Sequence, residues 1–333
     1  MVATVLVVGG AGYIGSHMVK LLAEQGHRAV TFDNLSTGHR DAVLHGDFFP
    51  GDLLAPADLE RVFARHAFDA VMHFAAFFSV GESVGSPAKY YRNNVVGTLN
   101  LLDAMRQAGQ HRLVFSSTAA TYGVPQSGSI AETHPQLPVN PYGQTKLMVE
   151  RVLADYAPAY GLRSVSLRYF NAAGSDPEGR IGERHEPETH LIPLVLLEAL
   201  RVQRGGDPGQ TGLLLNGEDF DTADGTCVRD YIHVNDLAAA HLRALDRLMD
   251  GSVTGAEFYN LGIGRGYSVK EVIATCRAVT GLPIEYRVAP RRAGDPPTLV
   301  ADAAKARAAL QWAPVYNDLA PIVQTAWNYL SKA

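Results

Sequence analysis

The sequence is poor in cysteine, because Cys227 and Cys276 are the only two in 333 residues. Two cysteines exclude the dense disulfide framework of a small secreted scaffold and fit a reducing compartment, so we expect a cytoplasmic protein. No Cys/His cluster has the spacing of metal ligands, and the sequence therefore predicts no metal site.

Long runs of positive charge and long apolar runs are also missing. Against 29 Lys and Arg stand 34 Asp and Glu, and the net charge of −5 argues against a nucleic-acid partner. No apolar stretch approaches the roughly 20 residues of a membrane-spanning helix, so no membrane partner is expected. The apolar start "MVATVLVVGG" lacks a basic n-region and runs into glycines, which predicts a buried first strand and not a signal peptide.

The first 170 residues contain an alternation of short β-branched runs and longer helical patterns. The runs that predict strands buried on both faces are 4–8, 28–33, 69–75, 112–117 and 163–170. The patterns that predict helices lie near 14–25, 57–66, 87–108 and 141–157. This alternation predicts an α/β fold with a Rossmann-type doubly wound parallel sheet.

Beyond Asn171 the pattern changes to polar loops with glycine and proline, followed by mixed short strands and helices. We interpret this change as a second, smaller α/β domain that binds substrate. The predicted division gives residues 1–172, with 228–258 returning to them, to the first domain. Residues 173–227 and 259–333 form the second.

The strongest local motif, "VVGGAGYIGSH", directly follows the first predicted strand. Its Gly9, Gly12 and Gly15 form G-x-x-G-x-x-G between a strand and a helix. Glycine permits the tight turn and lets the backbone approach a pyrophosphate that rests on the helix N-terminus. The motif and its context therefore predict a dinucleotide-binding site.

The choice of dinucleotide depends on Asp33, which lies 18 residues beyond Gly15 at the end of the second predicted strand. A carboxylate there can hold both adenosine ribose hydroxyls and would repel a 2′-phosphate, which favours NAD over NADP. Asp52, in "GDLL", lies near the expected adenine, although turn chemistry explains this residue equally well.

A phenol and an ammonium group share a helical face in "NPYGQTKLMVE", residues 140–150. Asn140 is a good N-cap and Pro141 suits the first helical position. Tyr142 and Lys146, four residues apart, then lie one above the other. Most such pairs are a surface tyrosine and a solvated lysine. The alternative is a phenol that a nearby cation prepares as a general base, and the pair alone does not decide between these readings.

Further motifs, with the glycine loop, resemble the extended short-chain dehydrogenase/reductases. They follow in family order as "HFAA" (73–76), "SSTAATYG" (116–123), "PYGQTK" (141–146) and "LRYFNAAG" (167–174). The motifs that make nearly the whole chain similar to the UDP-glucose 4-epimerases are "VGESV" (80–84), "YYRNNVVGTLNLL" (90–102), "GTCVRDYIHVNDLA" (225–238), "YNLG" (259–262) and "PRRAGDP" (290–296).

This resemblance implies a catalytic set of Thr118, Tyr142 and Lys146. Tyr142 would take the proton of the sugar 4-hydroxyl while hydride leaves C4 for tightly bound NAD. Lys146 would favour the phenolate, and Thr118 would hydrogen-bond the reacting oxygen. The 4-keto sugar would then turn and take the hydride back on its other face, which interconverts UDP-galactose and UDP-glucose.

The resemblance also implies binding residues. Further cofactor contacts would come from Tyr13, Ile14, Asn34, Ser36, Thr37, Leu53, Phe74, Ala75, Ala76, Asn93 and Phe170. The substrate contacts would be Asn171, Leu191, Asn216, Arg229, Arg292, Asp295 and Leu299. The two arginines would hold the diphosphate through their bidentate forks.

Three positions depart from the family pattern. Phe78 stands where the best-known members have a lysine, "THL" replaces "NNL" at His190, and Asn216 replaces an aromatic residue of some relatives. Leu299, at a position that sets the size of the sugar pocket, leaves N-acetylated sugars open.

Several alternatives remain at this point. They are a 4-epimerase of UDP-N-acetylglucosamine or UDP-glucuronate, a dehydratase or decarboxylase on the same scaffold, and a catalytically dead NAD-binding regulator. A dehydratase is less favoured, because its Asp-Glu pair is replaced by Ala119 and Ala120. The patterns at 87–108 and 141–157 are apolar on more than one face; in the family these helices pair across a homodimer, which we expect here.

Overall fold

The computed structural model describes residues 2–126, 128–292 and 295–332. Its strands are β1 (Thr4–Val8), β2 (Arg28–Asp33), β3 (Asp47–Pro50), β4 (Ala70–His73), β5 (Arg112–Thr118), β6 (Arg163–Tyr169), β7 (Asn171–Ala173), β8 (Leu214–Asn216), β9 (Val228–His233), β10 (Ala256–Leu261), β11 (Gly266–Ser268), β12 (Arg287–Ala289) and β13 (Thr298–Leu299). Its α-helices are α1 (Tyr13–Glu24), α2 (Pro56–Arg65), α3 (Val80–Gly85), α4 (Pro87–Tyr90), α5 (Gly97–Gln107), α6 (Pro141–Tyr160), α7 (Leu191–Gln203), α8 (Val234–Met249), α9 (Val269–Thr280), α10 (Ala304–Leu310) and α11 (Leu319–Leu330).

The central sheet has seven strands in the order β10-β6-β5-β4-β1-β2-β3, and every neighbouring pair is parallel. This arrangement confirms the predicted Rossmann-type doubly wound sheet. The direction in which successive strands are added reverses at β1, which lies between β2 and β4. In such sheets a crevice opens at the carboxyl ends of the strands where the order reverses, and ligands bind there.

Helices cover both faces of this sheet, and its first strand, β1, directs apolar side chains to both of them. Val5 and Val7 of β1 belong to the apolar core under α1 and α8, whereas Leu6 and Val8 belong to the core under α2, α5 and α6. All four side chains are fully buried. Burial of each such side chain contributes about 1.5–3 kcal/mol to the stability of the fold. Because successive side chains of a strand point to opposite faces, β1 stabilises the helical layers on both sides of the sheet.

The strands and helices predicted for the first 170 residues are confirmed, with ends that differ by at most three residues. The helical pattern at 87–108 is α4 and α5 joined by a π-helical stretch, Tyr91–Val96. The sequence pattern does not indicate the short strand β3, whose partner is β2 alone in the central sheet. Among the described residues, no helix is long and apolar enough to cross a bilayer.

The remaining strands form two smaller sheets, one of β7, β9, β11 and β13 and one of β8 and β12. Helices α7, α9 and α11 pack together beside them, over a core that includes Val195, Ile273 and Ile322. Strand β10 belongs to the central sheet up to Leu261, three residues past the predicted return segment. The domain boundaries themselves stay a prediction.

Candidate active site

The carboxyl ends of the central strands open into a cleft of about 880 Å³. The cleft is lined by the residues that follow or end β1, β2, β4, β5 and β6, and by residues of the smaller sheets. Every residue that the sequence assigns to catalysis, cofactor binding or substrate binding lines it. The cleft is therefore the candidate active site.

The glycine motif at the junction of β1 and α1 has no room for a side chain at Gly9 or at Gly15. Gly9 has a φ of 82°, and a Cβ on it would lie 2.4 Å from the backbone nitrogen of Ala75. A Cβ on Gly15 would lie 2.1 Å from the carbonyl oxygen of Gly9. Helix α1 starts after Gly12 with neither a capping side chain nor an acidic residue in its first turn. Its first N–H groups are thus free for an anion, which fits the pyrophosphate of a dinucleotide.

The Asp33 carboxylate is fixed at the end of β2 by backbone donors. Its Oδ2 accepts from the N–H of Ala11 at 3.0 Å and its Oδ1 from the N–H of Leu35 at 2.8 Å. Burial raises the pKa of Asp33, and these two hydrogen bonds oppose that effect. Each oxygen keeps a lone pair for a further donor, as the ribose interpretation requires. Nearby, Asn34 Nδ2 donates to Asp52 at 3.0 Å, which ties together two predicted adenosine-side residues.

Helix α6 presents the phenol and the ammonium group to the cleft. It begins as the sequence predicts: the Asn140 side chain accepts from the N–H of Gly143 at 2.8 Å, and Pro141 takes the first helical position. Tyr142 follows at once, and Lys146 lies one turn later. Both line the cleft, and Lys146 is only 3% exposed, so this is not a surface tyrosine beside a solvated lysine.

Thr118 and Lys146 are held by the end of β5. Thr118 is the last residue of this strand and hydrogen-bonds the Tyr142 phenol. The Lys146 ammonium donates to the carbonyl oxygen of Ser116 at 2.8 Å and lies 4.8 Å from the ring centre of Phe115. The three groups therefore form one constellation, with β5 as its rigid support.

Burial governs the charge of this constellation. It raises the pKa of Tyr142 to about 12, and the hydrogen bond from Thr118 opposes the rise. Burial lowers the pKa of Lys146 to about 7, and the Glu150 carboxylate opposes the fall. At neutral pH the phenol is thus protonated and the amine carries only part of its charge, so these two groups alone do not generate a phenolate.

The substrate side of the cleft carries two guanidinium groups. Arg229 donates through Nη1 to the carbonyl oxygens of Val228 and Pro296, at 2.8 and 2.9 Å, and its Nη2 lies 3.6 Å from Asp295. The Asn216 side-chain oxygen accepts from Nε and Nη2 of Arg292, at 3.3 and 3.0 Å. Fixed guanidinium forks of this kind suit a diphosphate.

The other predicted substrate residues surround these cations. Leu299 is the register partner of Arg229 where β13 meets β9, and it packs with Phe170 on a small apolar core. Asn171 Nδ2 donates to the carbonyl oxygen of Asp230 at 3.0 Å, and Leu191 is the first residue of α7. Of the "PRRAGDP" segment, Ala293 and Gly294 lie outside the described residues.

One cluster on the cleft wall was not anticipated from the sequence. Side-chain ligand atoms of Glu183, His185, Glu188 and His190 all lie within 4.8 Å of one another. Burial lowers the pKa of both imidazoles, but the two carboxylates outweigh it and raise that of His185 to about 9 and that of His190 to about 10. Phe78 packs on both rings, with centroids 4.6 and 5.5 Å away. In the sequence, the high density of His and Glu in "ERHEPETH" (183–190) is the signal that indicates this cluster.

Comparison with known proteins agrees with this geometry. The chain matches the model of the NAD dependent epimerase/dehydratase family over residues 5–262. It is 52% identical, over 330 residues, to a UDP-glucose 4-epimerase of Rhizobium leguminosarum bv. trifolii, a match that covers 99% of this chain and 98% of that protein.

Two solved structures extend the comparison. One is UDP-glucose 4-epimerase from Brucella ovis in complex with NAD, with a TM-score of 0.92 and 51% identity over 99% of this chain and 98% of that one. The other is UDP-glucose 4-epimerase from Bifidobacterium longum in complex with NAD+ and UDP, with a TM-score of 0.91 and 37% identity at the same coverage. The chain therefore belongs to the NAD-dependent epimerase/dehydratase family.

Proposed function

We propose that this chain is an NAD-dependent UDP-glucose 4-epimerase, an isomerase that interconverts UDP-galactose and UDP-glucose in galactose metabolism. The observation that carries the proposal is one cleft that combines a glycine loop fit for a dinucleotide, the Thr118–Tyr142–Lys146 set and two arginines fit for a diphosphate. The name of the Rhizobium relative and the NAD+ and UDP of the Bifidobacterium structure support it. Conversion of UDP-galactose by the purified protein is the test.

In the proposed mechanism Tyr142 transfers the proton, and Thr118 and Lys146 position and stabilise the reacting groups. When bound, NAD supplies the hydride acceptor at the sugar C4 and, in its oxidised form, a positive charge. Tyr142 takes the proton of the 4-hydroxyl and later returns it, and Thr118 orients both oxygens. Lys146, fixed on Ser116, stabilises the phenolate. An added positive charge is what this pair needs, because burial, opposed by Thr118, still leaves the pKa of Tyr142 at about 12.

The same residues weigh against a dehydratase. Thr118 leads into a short 3₁₀ turn, Ala119–Thr121, and its two alanines line the cleft without a carboxyl group. Removal of a C5 proton and expulsion of water would need an acid and a base at this place. Leu299, a side chain of intermediate size, bounds the sugar pocket. Such a boundary discriminates between sugars by only a few kcal/mol. UDP-N-acetylglucosamine is therefore the second substrate to assay, beside UDP-glucuronate.

Arg292 is predicted to bind the diphosphate of the substrate. Arg292→Ala should raise KM for UDP-galactose by about 10- to 100-fold, since a charge-assisted hydrogen bond contributes about 1.5–3 kcal/mol. Steady-state kinetics should show a smaller change in kcat. Arg291→Ala is the matched control: this neighbour pairs with Asp219 at 2.6 Å and stacks 4.2 Å from the centre of Phe220. An equal rise in KM for both variants would refute the assignment.

We also propose a homodimer built through α5 and α6 and the π-helical stretch before them. Their apolar side chains divide into two sets. Leu101, Leu102 and Met105 are buried in the chain's own core, whereas Val96 is 45% exposed and Leu99 and Met148 are partly exposed. This second apolar stripe supports pairing with a second copy as a four-helix bundle.

Leu99→Glu should separate such a dimer, because a carboxylate at a buried interface loses its hydration without a partner. Sedimentation velocity at micromolar concentration should give a dimer for the unmodified chain and a monomer for the variant. Thermal melting checks that the variant is folded. A monomeric unmodified chain would contradict the proposal.

We also propose that the protein is located in the cytoplasm, with which the free thiols of Cys227 and Cys276 are consistent.

A further inference from the structure

The cluster of Glu183, His185, Glu188 and His190 lies in the loop before α7 and has no part in the proposed mechanism. We propose that it binds one divalent transition-metal ion, with Zn²⁺ as the best fit, and that this ion is structural. Two imidazoles and two carboxylates are a ligand set that zinc accepts with four-coordinate geometry. Nothing in the proposed epimerase chemistry requires a metal there.

The spacing of the ligand atoms suits a four-coordinate metal ion. Nδ1 of His190 lies 2.8 Å from Glu183 Oε1 and 3.1 Å from Glu188 Oε1. Nδ1 of His185 lies 3.3 Å from Glu183 Oε1 and 3.6 Å from Glu188 Oε2. A tetrahedral zinc with bonds of about 2.0–2.1 Å places its ligand atoms about 3.3 Å apart. The four groups thus already surround a volume of the right size.

The cluster is largely buried and carries opposite charges. The side chains of Glu183, His185 and Glu188 are only 7, 11 and 8% exposed. The buried Nδ1 of His185 has no hydrogen-bond partner of good geometry among the described residues. Without a metal, the two carboxylates keep both imidazoles protonated. A divalent cation would displace these two protons and cancel the charge of −2 that then remains on the carboxylates. The ion would also coordinate the Nδ1 of His185, which otherwise has no hydrogen-bond partner of good geometry among the described residues.

The surroundings fit a cation held by this loop. Phe78 packs on both imidazole rings and brings no charge to the cluster. The Tyr13 ring meets His185 edge-on at 6.3 Å. Arg184, which lies between two ligands in the sequence, points to Asp41 at 2.5 Å instead of to the cluster. No positive side chain therefore competes for the site among these neighbours.

The position of the loop gives the ion its role. The Arg184–Asp41 pair, with a 3.1 Å contact from His39 Nε2 to the carbonyl oxygen of Arg184, ties the loop to the segment that follows β2. At its other end, His190 directly precedes α7 and the predicted substrate contact Leu191. A bound ion would hold this bridge across the cleft in one conformation, as closed four-ligand sites do.

Metal loading of the full-length protein tests the proposal. After EDTA treatment and gel filtration, titration with Zn²⁺ should saturate at one equivalent per chain with a Kd below about 1 μM. Free Zn²⁺ at about 100 times Kd should raise Tm by about 4 °C. The Co²⁺-loaded protein should show the strong visible bands of four-coordinate cobalt.

Variants locate the site. His185→Gln and His190→Gln should each weaken Zn²⁺ binding by about 100-fold or more and abolish the Tm shift. Glu183→Gln, which keeps the side-chain size, should do the same if a histidine variant fails to fold. His45→Gln, in the loop before β3, should bind like the unmodified chain. Absence of saturable binding, or equal binding by the cluster variants and the control, would overturn the proposal and leave the cluster as a network of protonated imidazoles and carboxylates.

Discussion

Tyr142→Phe should lose turnover of UDP-galactose by about 10²- to 10⁴-fold, the contribution of a positioned acid–base group. The substitution removes only the phenol oxygen, which receives a hydrogen bond from Thr118 in the cleft wall. Helix α6 keeps its Asn140 cap and its proline start, so the fold and the cofactor site should be unchanged. The loss should therefore appear in kcat while the NAD content per chain stays the same.

Tyr160→Phe is the matched control for this experiment. Tyr160 ends the same helix, and its side chain is 47% exposed. Product formation and bound NAD should both equal those of the unmodified chain. Near-normal turnover by Tyr142→Phe would overturn the proposed base, because no other phenol has been assigned that role.

Gly15→Ala should abolish tight NAD binding. Its Cβ would lie 2.1 Å from the Gly9 carbonyl oxygen and 2.8 Å from Gly10 Cα, and both contacts are backbone. The loop must move by about 1 Å to accommodate this Cβ. A displacement of that size at a site can lower the reaction rate about 100-fold. The expected result is loss of bound NAD, and of turnover unless NAD is added at high concentration.

The control for the glycine loop is Gly85→Ala at the end of α3. A Cβ there would meet nothing within 4 Å. Both variants should be measured for NAD content by denaturation and chromatography, and for Tm with and without added NAD. If Gly15→Ala retained NAD at the level of Gly85→Ala, the loop would not be the pyrophosphate site.

Local patterns predict much of the central sheet because the relevant interactions are local. The apolar runs of β1 and β2, the glycine loop and the Asn140–Pro141 helix start each depend on residues close in sequence. Local patterns do not show whether Tyr142 and Lys146 are exposed to solvent or buried in a site. Only the contact of Lys146 with Ser116, 30 residues earlier, reveals that the amine is buried.

Other features depend on contacts between distant segments, and the sequence pattern does not indicate them. Burial sets the pKa of Tyr142 at about 12 and that of Lys146 at about 7, and neither value follows from a four-residue spacing. The 183–190 cluster has no familiar ligand spacing, since the fold of its loop brings the four groups together. Phe78 approaches that cluster from a segment over 100 residues earlier.

The most direct test of the central claim is turnover without added cofactor. Protein purified to homogeneity should be incubated with UDP-galactose in NAD-free buffer, and the nucleotide sugars should be separated and identified. The proposed function predicts an equilibrium mixture of UDP-galactose and UDP-glucose, with the NAD released on denaturation present at up to one per chain. Absence of UDP-glucose from a folded sample that contains NAD would contradict the proposed function.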